Sequence, residues 1–149
     1  GQNSTSYRRT GLTGCRRYYF RIHAYGNGGD SEYTAAVNAT TLLDTPTGLT
    51  GEAVSLSQIN LSWNAVSGAS GYILQRSQLV SVNPVVVSEW ENVNDYSSST
   101  THTDTGLNNP LRMYYYRIQA YGYAYDGAST IYSGYIDDNG DIHVLLPEK

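Results

Sequence analysis

Tyr114-Tyr115-Tyr116-Arg117-Ile118-Gln119-Ala120-Tyr121-Gly122 is the stretch that decides the fold. Its period is two, so it reads as a β-strand. Tyr114, Tyr116, Ile118 and Ala120 share one face and are expected inside; Tyr115, Arg117, Gln119 and Tyr121 are expected outside. Nearly the same words occur earlier, as Tyr18-Tyr19-Phe20-Arg21-Ile22-His23-Ala24-Tyr25-Gly26. Ahead of them stand Thr10-Gly11-Leu12 and, again, Thr105-Gly106-Leu107. The offset is 95 residues at the tripeptide and 96 at the strand. Solenoid repeats run about 20–50 residues, whereas a period near 95 is the length of a whole small domain. The sequence therefore reads as a tandem array of one module, entered part-way through its first copy.

Around these strands the rest falls into place. In the first copy Ser6-Tyr7-Arg8 reads as a short strand, Tyr18 to Tyr25 as a long one, Gly26 to Asp30 as a turn and Glu32 to Thr41 as a last strand. Leu42-Leu43-Asp44-Thr45-Pro46 is the junction, since Pro46 cannot donate to a ladder and favours extended backbone. In the second copy Ile59, Leu61 and Trp63 alternate with Asn60 and Ser62. Gly68 to Gly71 turns the chain, and Tyr72 and Leu74 begin the next inward row. Val85 to Val93 reads as a strand holding Trp90, Ser99 to Asp104 as a short strand, and Ser129 to Ile136 as the last. Six or seven short strands with turn signals between them, and no helical periodicity, predict a β-sandwich. The expected division is 1–43 for the back half of a module, 44–137 for a complete module and 138–149 for a terminal hairpin or extension.

Composition agrees. Of 149 residues, 40% are apolar and 15% charged, which excludes a disordered chain, and no apolar run is long enough to insert into a membrane. Fifteen tyrosines stand against one Phe and two Trp, and Tyr suits half-exposed strands. The net charge is -4 with no basic block, so nucleic acid is a poor partner. Cys15 is the single cysteine, which excludes an intrachain disulfide. The Ser, Thr, Gly and Asn content points to an extracellular or cell-surface protein.

Pro46-Thr47-Gly48-Leu49, Ile59-Asn60-Leu61-Ser62-Trp63, Gly71-Tyr72, Thr105-Gly106-Leu107 and Tyr114 to Tyr121, in this order and spacing, resemble a fibronectin type III domain of the kind common in bacterial extracellular proteins. The likeness covers residues 45–135 fully and 3–41 as the last three strands, E, F and G. It implies an immunoglobulin-like Greek-key β-sandwich, all-β. In it Trp63 is the buried tryptophan of strand B, and Leu107 with Tyr114 forms a tyrosine corner, as Leu12 with Tyr18 does in the first copy. The structural core expected from the likeness and the alternation is Trp63, Tyr72, Leu107, Tyr114, Tyr116 and Ile118, with Leu12, Tyr18, Phe20 and Ile22 as first-copy counterparts.

The first copy lacks its strands A to C′, so Leu12, Phe20 and Ile22 would face nothing. Covering such side chains stabilises by roughly 1.5–3 kcal/mol each, about 5–9 kcal/mol for the three, comparable to the stability of a small domain. The half-module is therefore expected to be completed by preceding sequence or by another chain donating strands to its open edges.

Sites are sparse. Asp137, Asn139 and Asp141 have the 1-3-5 spacing of a calcium loop, with Glu148 at position 12, but Ile142 stands where the loop needs Gly. Asn139-Gly140 between Tyr135-Ile136 and Ile142-His143-Val144 reads better as a hairpin turn, so no metal and no cofactor is expected. Tyr19, Tyr25, Tyr115, Tyr121, Tyr123 and Tyr125 form an outward set that suits cross-strand pairing, with stacking on carbohydrate or a protein as the sharper alternative. His23, His102 and His143 are too scattered for zinc. Glu89 and Glu91 beside Trp90 read as solvated edge charge rather than a glycosidase pair. Cys15 beside Arg16 and Arg17 reads as a loop thiol whose pKa those cations would lower.

The expected function is non-catalytic: a structural or adhesive module that spaces or links partners, these being other protein modules or copies of itself. Two alternatives are an accessory module of a secreted polysaccharide-degrading enzyme, and a self-assembling filament subunit with strand complementation in trans.

Overall fold

A computed structural model describes residues 4–109, 111–123, 130–133 and 142–147. Its described residues form strands and no helix. The first copy carries β1 (Arg17–Phe20), β2 (Tyr25–Gly26), β3 (Gly29–Asp30) and β4 (Val37–Thr40). The second carries β5 (Thr50–Ser55), β6 (Gln58–Ser62), β7 (Gly71–Val82), β8 (Val85–Val87), β9 (Glu91–Ser97), β10 (Thr101–Thr105), β11 (Met113–Tyr123), β12 (Thr130–Tyr132) and β13 (Ile142–Leu145).

Two antiparallel sheets face each other in the second copy. One has the order β10-β6-β5. In the other, β11 pairs with β7; β9 and β8 follow on the free edge of β7, and β12 and β13 on the free edge of β11. The inward rows meet between them. Ile59, Leu61, Trp63, Tyr72, Leu74, Leu107, Tyr114, Tyr116 and Ile118 are all buried in one cluster. The Trp63 ring meets the edge of Tyr72 at 5.6 Å between centroids, an arrangement aromatic quadrupoles favour. This is an immunoglobulin-like Greek-key sandwich.

The Tyr114 corner is closed by a hydrogen bond: its buried hydroxyl accepts from the Asn109 backbone N–H at 2.7 Å. The first copy repeats the device, the Tyr18 hydroxyl accepting from the Thr13 N–H at 3.0 Å. Register repeats too. Tyr18 opposes Ala39 as Tyr114 opposes Val144. Thr41 N–H donates to the Arg16 carbonyl and Leu146 N–H to the Arg112 carbonyl, both at 2.9 Å. Tyr18 and Ala39 are 21 positions apart and Tyr114 and Val144 are 30, so the second copy holds nine extra residues between the paired strands.

That register places part of the tail. Ile142–Leu145, expected in a terminal hairpin or extension, continues the edge of β11 that β12 begins, with Val144 and Leu146 buried in the core. Residues 134–141, which hold the expected hairpin's turn and first arm and the calcium-loop candidates Asp137, Asn139 and Asp141, lie outside the described set. The first copy also departs from expectation. Ser6-Tyr7-Arg8 forms no strand, the stretch from Tyr18 to Tyr25 is strand only at its two ends, and Glu32 to Thr41 only over Val37–Thr40. Pairing accounts for this: β10 forms on β6, and the middle of β11 on β7, and among the described residues no strand pairs with the first copy in those two places. Val85 to Val93 is broken at Ser88, whose hydroxyl and backbone bind Ser77 and Gln78 of β7. Tyr121, expected outside, is buried: its ring lies over Gly71, directly opposite on β7, and its hydroxyl donates to the Tyr96 carbonyl.

The two corners should respond differently to loss of the hydroxyl. Y114F leaves a buried N–H unpaired and is expected to cost about 1–3 kcal/mol in chemical denaturation. Y18F leaves an N–H that water can reach and should stay within about 0.5 kcal/mol.

Candidate functional site

Three arrangements are built by this fold. The first is the junction between the copies. Cys15 adopts a left-handed φ of 55° and is buried. Its thiol donates to the Tyr123 carbonyl at 3.2 Å, and its N–H donates to Thr41 at 3.1 Å. Leu43 and Pro46 are buried alongside it. The approach is close enough to require glycine. Gly68 has φ +86°, and a methyl there would run into the Gly14 carbonyl; one on Gly122 would come within 2.8 Å of the Cys15 sulfur. Burial pushes the Cys15 thiol pKa up, opposite to the lowering expected from Arg16 and Arg17. Cys15 is a packing residue, which its loop-like sequence did not reveal.

The second is a polar bridge across the sandwich. Asp104 on β10 is 4% exposed. It accepts two hydrogen bonds from Arg76 of β7, at 2.8 and 2.9 Å, and one from the Tyr116 hydroxyl of β11 at 2.8 Å. Arg76 and Tyr116 are directly opposite in the sheet register. Arg76 also binds Glu91, whose side chain is largely exposed, so that arm contributes little. Burial disfavours the Arg76 charge, but its bonds to Glu91 and Asp104 outweigh this and its pKa is raised. The Tyr116 hydroxyl is held far above the usual tyrosine range, first by burial and then by the adjacent Asp104 carboxylate.

The third is the inner face of the first copy. Leu12 and Tyr18 are half-buried, while Phe20 and Ile22 are 37% and 71% exposed. Their counterparts Tyr116 and Ile118 are fully covered. A concavity of about 930 Å³ opens here, lined by Tyr7, Arg9, Leu12, Phe20 and Ile22 among others.

The other candidate residues do not converge. Tyr19, Tyr25 and Tyr123 are exposed. Tyr121 meets Tyr96 and Tyr123 edge-on, at 5.0 and 5.8 Å. Trp90 lies under the Arg117 guanidinium at 4.3 Å. Glu91 is committed to Arg76 rather than paired with Glu89. His23 packs on Tyr33 beside Asp30, His102 sits half-buried on β10, and His143 is in β13. Among the described residues no three metal-capable side chains come together. Asp137, Asn139, Asp141, Glu148 and Tyr125 lie outside the described residues.

No family profile and no curated protein matches the chain. Solved structures do. A two-domain fibronectin type III segment of chicken tenascin has a TM-score of 0.61 at 15% identity, covering 87% of this chain and 65% of that one. The extracellular region of rat CD45, domains d3–d4, has a TM-score of 0.50 at 14% identity, covering 98% and 72%. An Fn3-like protein from Clostridium thermocellum is 28% identical over 70% of this chain and 93% of that one, with a TM-score of 0.47. The tenascin likeness defines the class: the chain has the fold of fibronectin type III domains.

Two outcomes test the site geometry. G68A should displace Gly14 and Cys15 and cost about 1–3 kcal/mol by overpacking. It should also speed thiol labelling of Cys15 under native conditions; an unchanged labelling rate would contradict the packed junction. Because the folded pKa of Tyr116 lies above its unfolded value, its contribution is full below about pH 10 and is lost as pH rises further. Stability should fall above that point, and Y116F should lessen the slope by about 1.4 kcal/mol per pH unit. Tyr121, raised by burial and by Tyr123, supplies part of the remaining slope.

Proposed function

We propose that this chain is a non-catalytic structural module of an extracellular or cell-surface protein, one link of a tandem array that holds its neighbours at a fixed spacing. The observation that carries this reading is the packed junction. Cys15, Leu43 and Pro46 are buried, and Gly14, Gly68 and Gly122 let the two copies approach backbone to backbone. A linker meant only to tether would be polar and solvated. The repeated corner and repeated strand register support the tandem array. The partners on this reading are other protein modules, with carbohydrate stacking on the exposed tyrosines a lesser candidate.

A second reading, strand complementation by a neighbouring chain, is favoured by the exposed Phe20 and Ile22 and the concavity beneath them. It shares the structural role and differs in who supplies the missing strands.

Spacing is measurable. Spin labels on Asn38→Cys and Glu52→Cys, in a Cys15→Ser background, should give a narrow distance distribution that broadens with G68A. A broad distribution indifferent to G68A would sink the fixed-spacer role. Release of reducing ends from a polysaccharide panel by the chain alone would sink the non-catalytic one.

A further inference from the structure

The two copies match in shape but differ in charge at one place. Aligning Thr10-Gly11-Leu12 with Thr105-Gly106-Leu107 puts Arg9 where the second copy has Asp104, and aligning the strands puts Phe20 where it has Tyr116. The backbone supports the alignment, since Gly11 and Gly106 have φ of 69° and 73°. In the second copy Asp104 is the acceptor for both Arg76 and the Tyr116 hydroxyl. At the aligned positions the first copy has a cation, Arg9, in place of that acceptor and Phe20, without a hydroxyl, in place of Tyr116. Arg9 lines the open concavity together with Phe20 and makes no ion pair among the described residues.

We infer that the open face of the first copy is the docking site for a half-sandwich built like residues 46–97, but carrying a carboxylate where this chain has Arg76, and that Arg9 is the residue that selects it. This rests on reading residues 1–41 as an incomplete copy. Charge complementarity specifies the occupant. The inward apolar face is matched by a row such as Ile59, Leu61, Trp63, Tyr72 and Leu74, which covers the equivalent face of the second copy. The cation needs an acidic partner once that cover removes water. The same arithmetic excludes residues 46–97 themselves. On the first copy their Arg76 would meet Arg9, with no carboxylate at the aligned position to separate two desolvated cations. Like-charge juxtaposition of this kind suppresses wrong partners between surfaces of the same shape.

The test extends the full chain at its amino end with a second copy of residues 44–100. Two forms are compared, both with Glu91→Gln in the added segment so that no carboxylate competes there. One keeps Arg76 and the other has Arg76→Glu. Hydrogen exchange of the β1 amides, Arg17–Phe20, reports docking. The Glu form should protect them on the order of 100-fold more than the Arg form, the scale of a buried pair against a buried clash. Arg9→Glu in the original chain should reverse the order, restoring protection to the Arg form and removing it from the Glu form. Equal protection by both forms, or no reversal by Arg9→Glu, overturns the selector. No protection by either form, with or without Arg9→Glu, overturns the incomplete-copy reading itself.

Discussion

A sheet with one apolar face is stable only when a second layer takes that face out of water. In the second copy β11 lies at the centre of its sheet, and its inward row is covered by β5, β6 and β10. Its alternate residues Tyr114, Tyr116, Ile118 and Ala120 are fully buried. The first copy has almost the same strand, the same corner bond and the same register to its neighbour. With no second layer over it among the described residues, it has only the four residues of β1 and Ile22 is exposed. Local sequence supplied a corner and a turn. Cover supplied the strand, because propensity and alternation are weak where nothing packs on them.

How much of this could be read in the residues follows the same division. The inward row of β11 and the row through Ile59, Leu61 and Trp63 were legible because both faces of the alternation differ in polarity. Tyr121 was not, since its burial comes from Gly71 on a neighbouring strand and from Tyr96, neither of which its own spacing reveals. Cys15 was misread for a related reason. A thiol in a polar loop carries no local mark of being packed against Gly122, 107 positions away. The place of Ile142–Leu145 was not legible from its own residues, because the edge of β11 that it pairs with, Met113–Tyr116, lies far back in the sequence. The pairing of β1 with β4 in the first copy held that information, because the same register recurs.

The bridge of Arg76, Asp104 and Tyr116 was not read from the sequence, although the alternation places its members. Arg76 follows Tyr72 and Leu74 on the inward row, and Asp104 is an inward residue of β10. Charged residues at two core positions of facing sheets break the apolar pattern, which is affordable only if they meet. They do meet, at 2.8 Å, and the tyrosine hydroxyl fills a remaining lone pair of the carboxylate. Such a bridge adds little to stability over an apolar substitute. What the bonds do is tie β10 of one sheet to β7 and β11 of the other.

Such ties matter more when modules repeat along a chain. Neighbouring copies with interchangeable halves are prone to exchange strands during folding, and here two F-strands differ by few residues. Apolar complementarity cannot separate them, since Phe20 and Tyr116 present nearly the same shape to a facing layer. Charge can. On the docking proposal, an aspartate in one copy and an arginine at the aligned place in the other make each half acceptable to one partner and costly for the other. The polar bridge of the second copy thus serves the same end as the open, cationic face of the first. On that proposal both match like-shaped surfaces to different neighbours, by a difference that the apolar core alone is unable to encode.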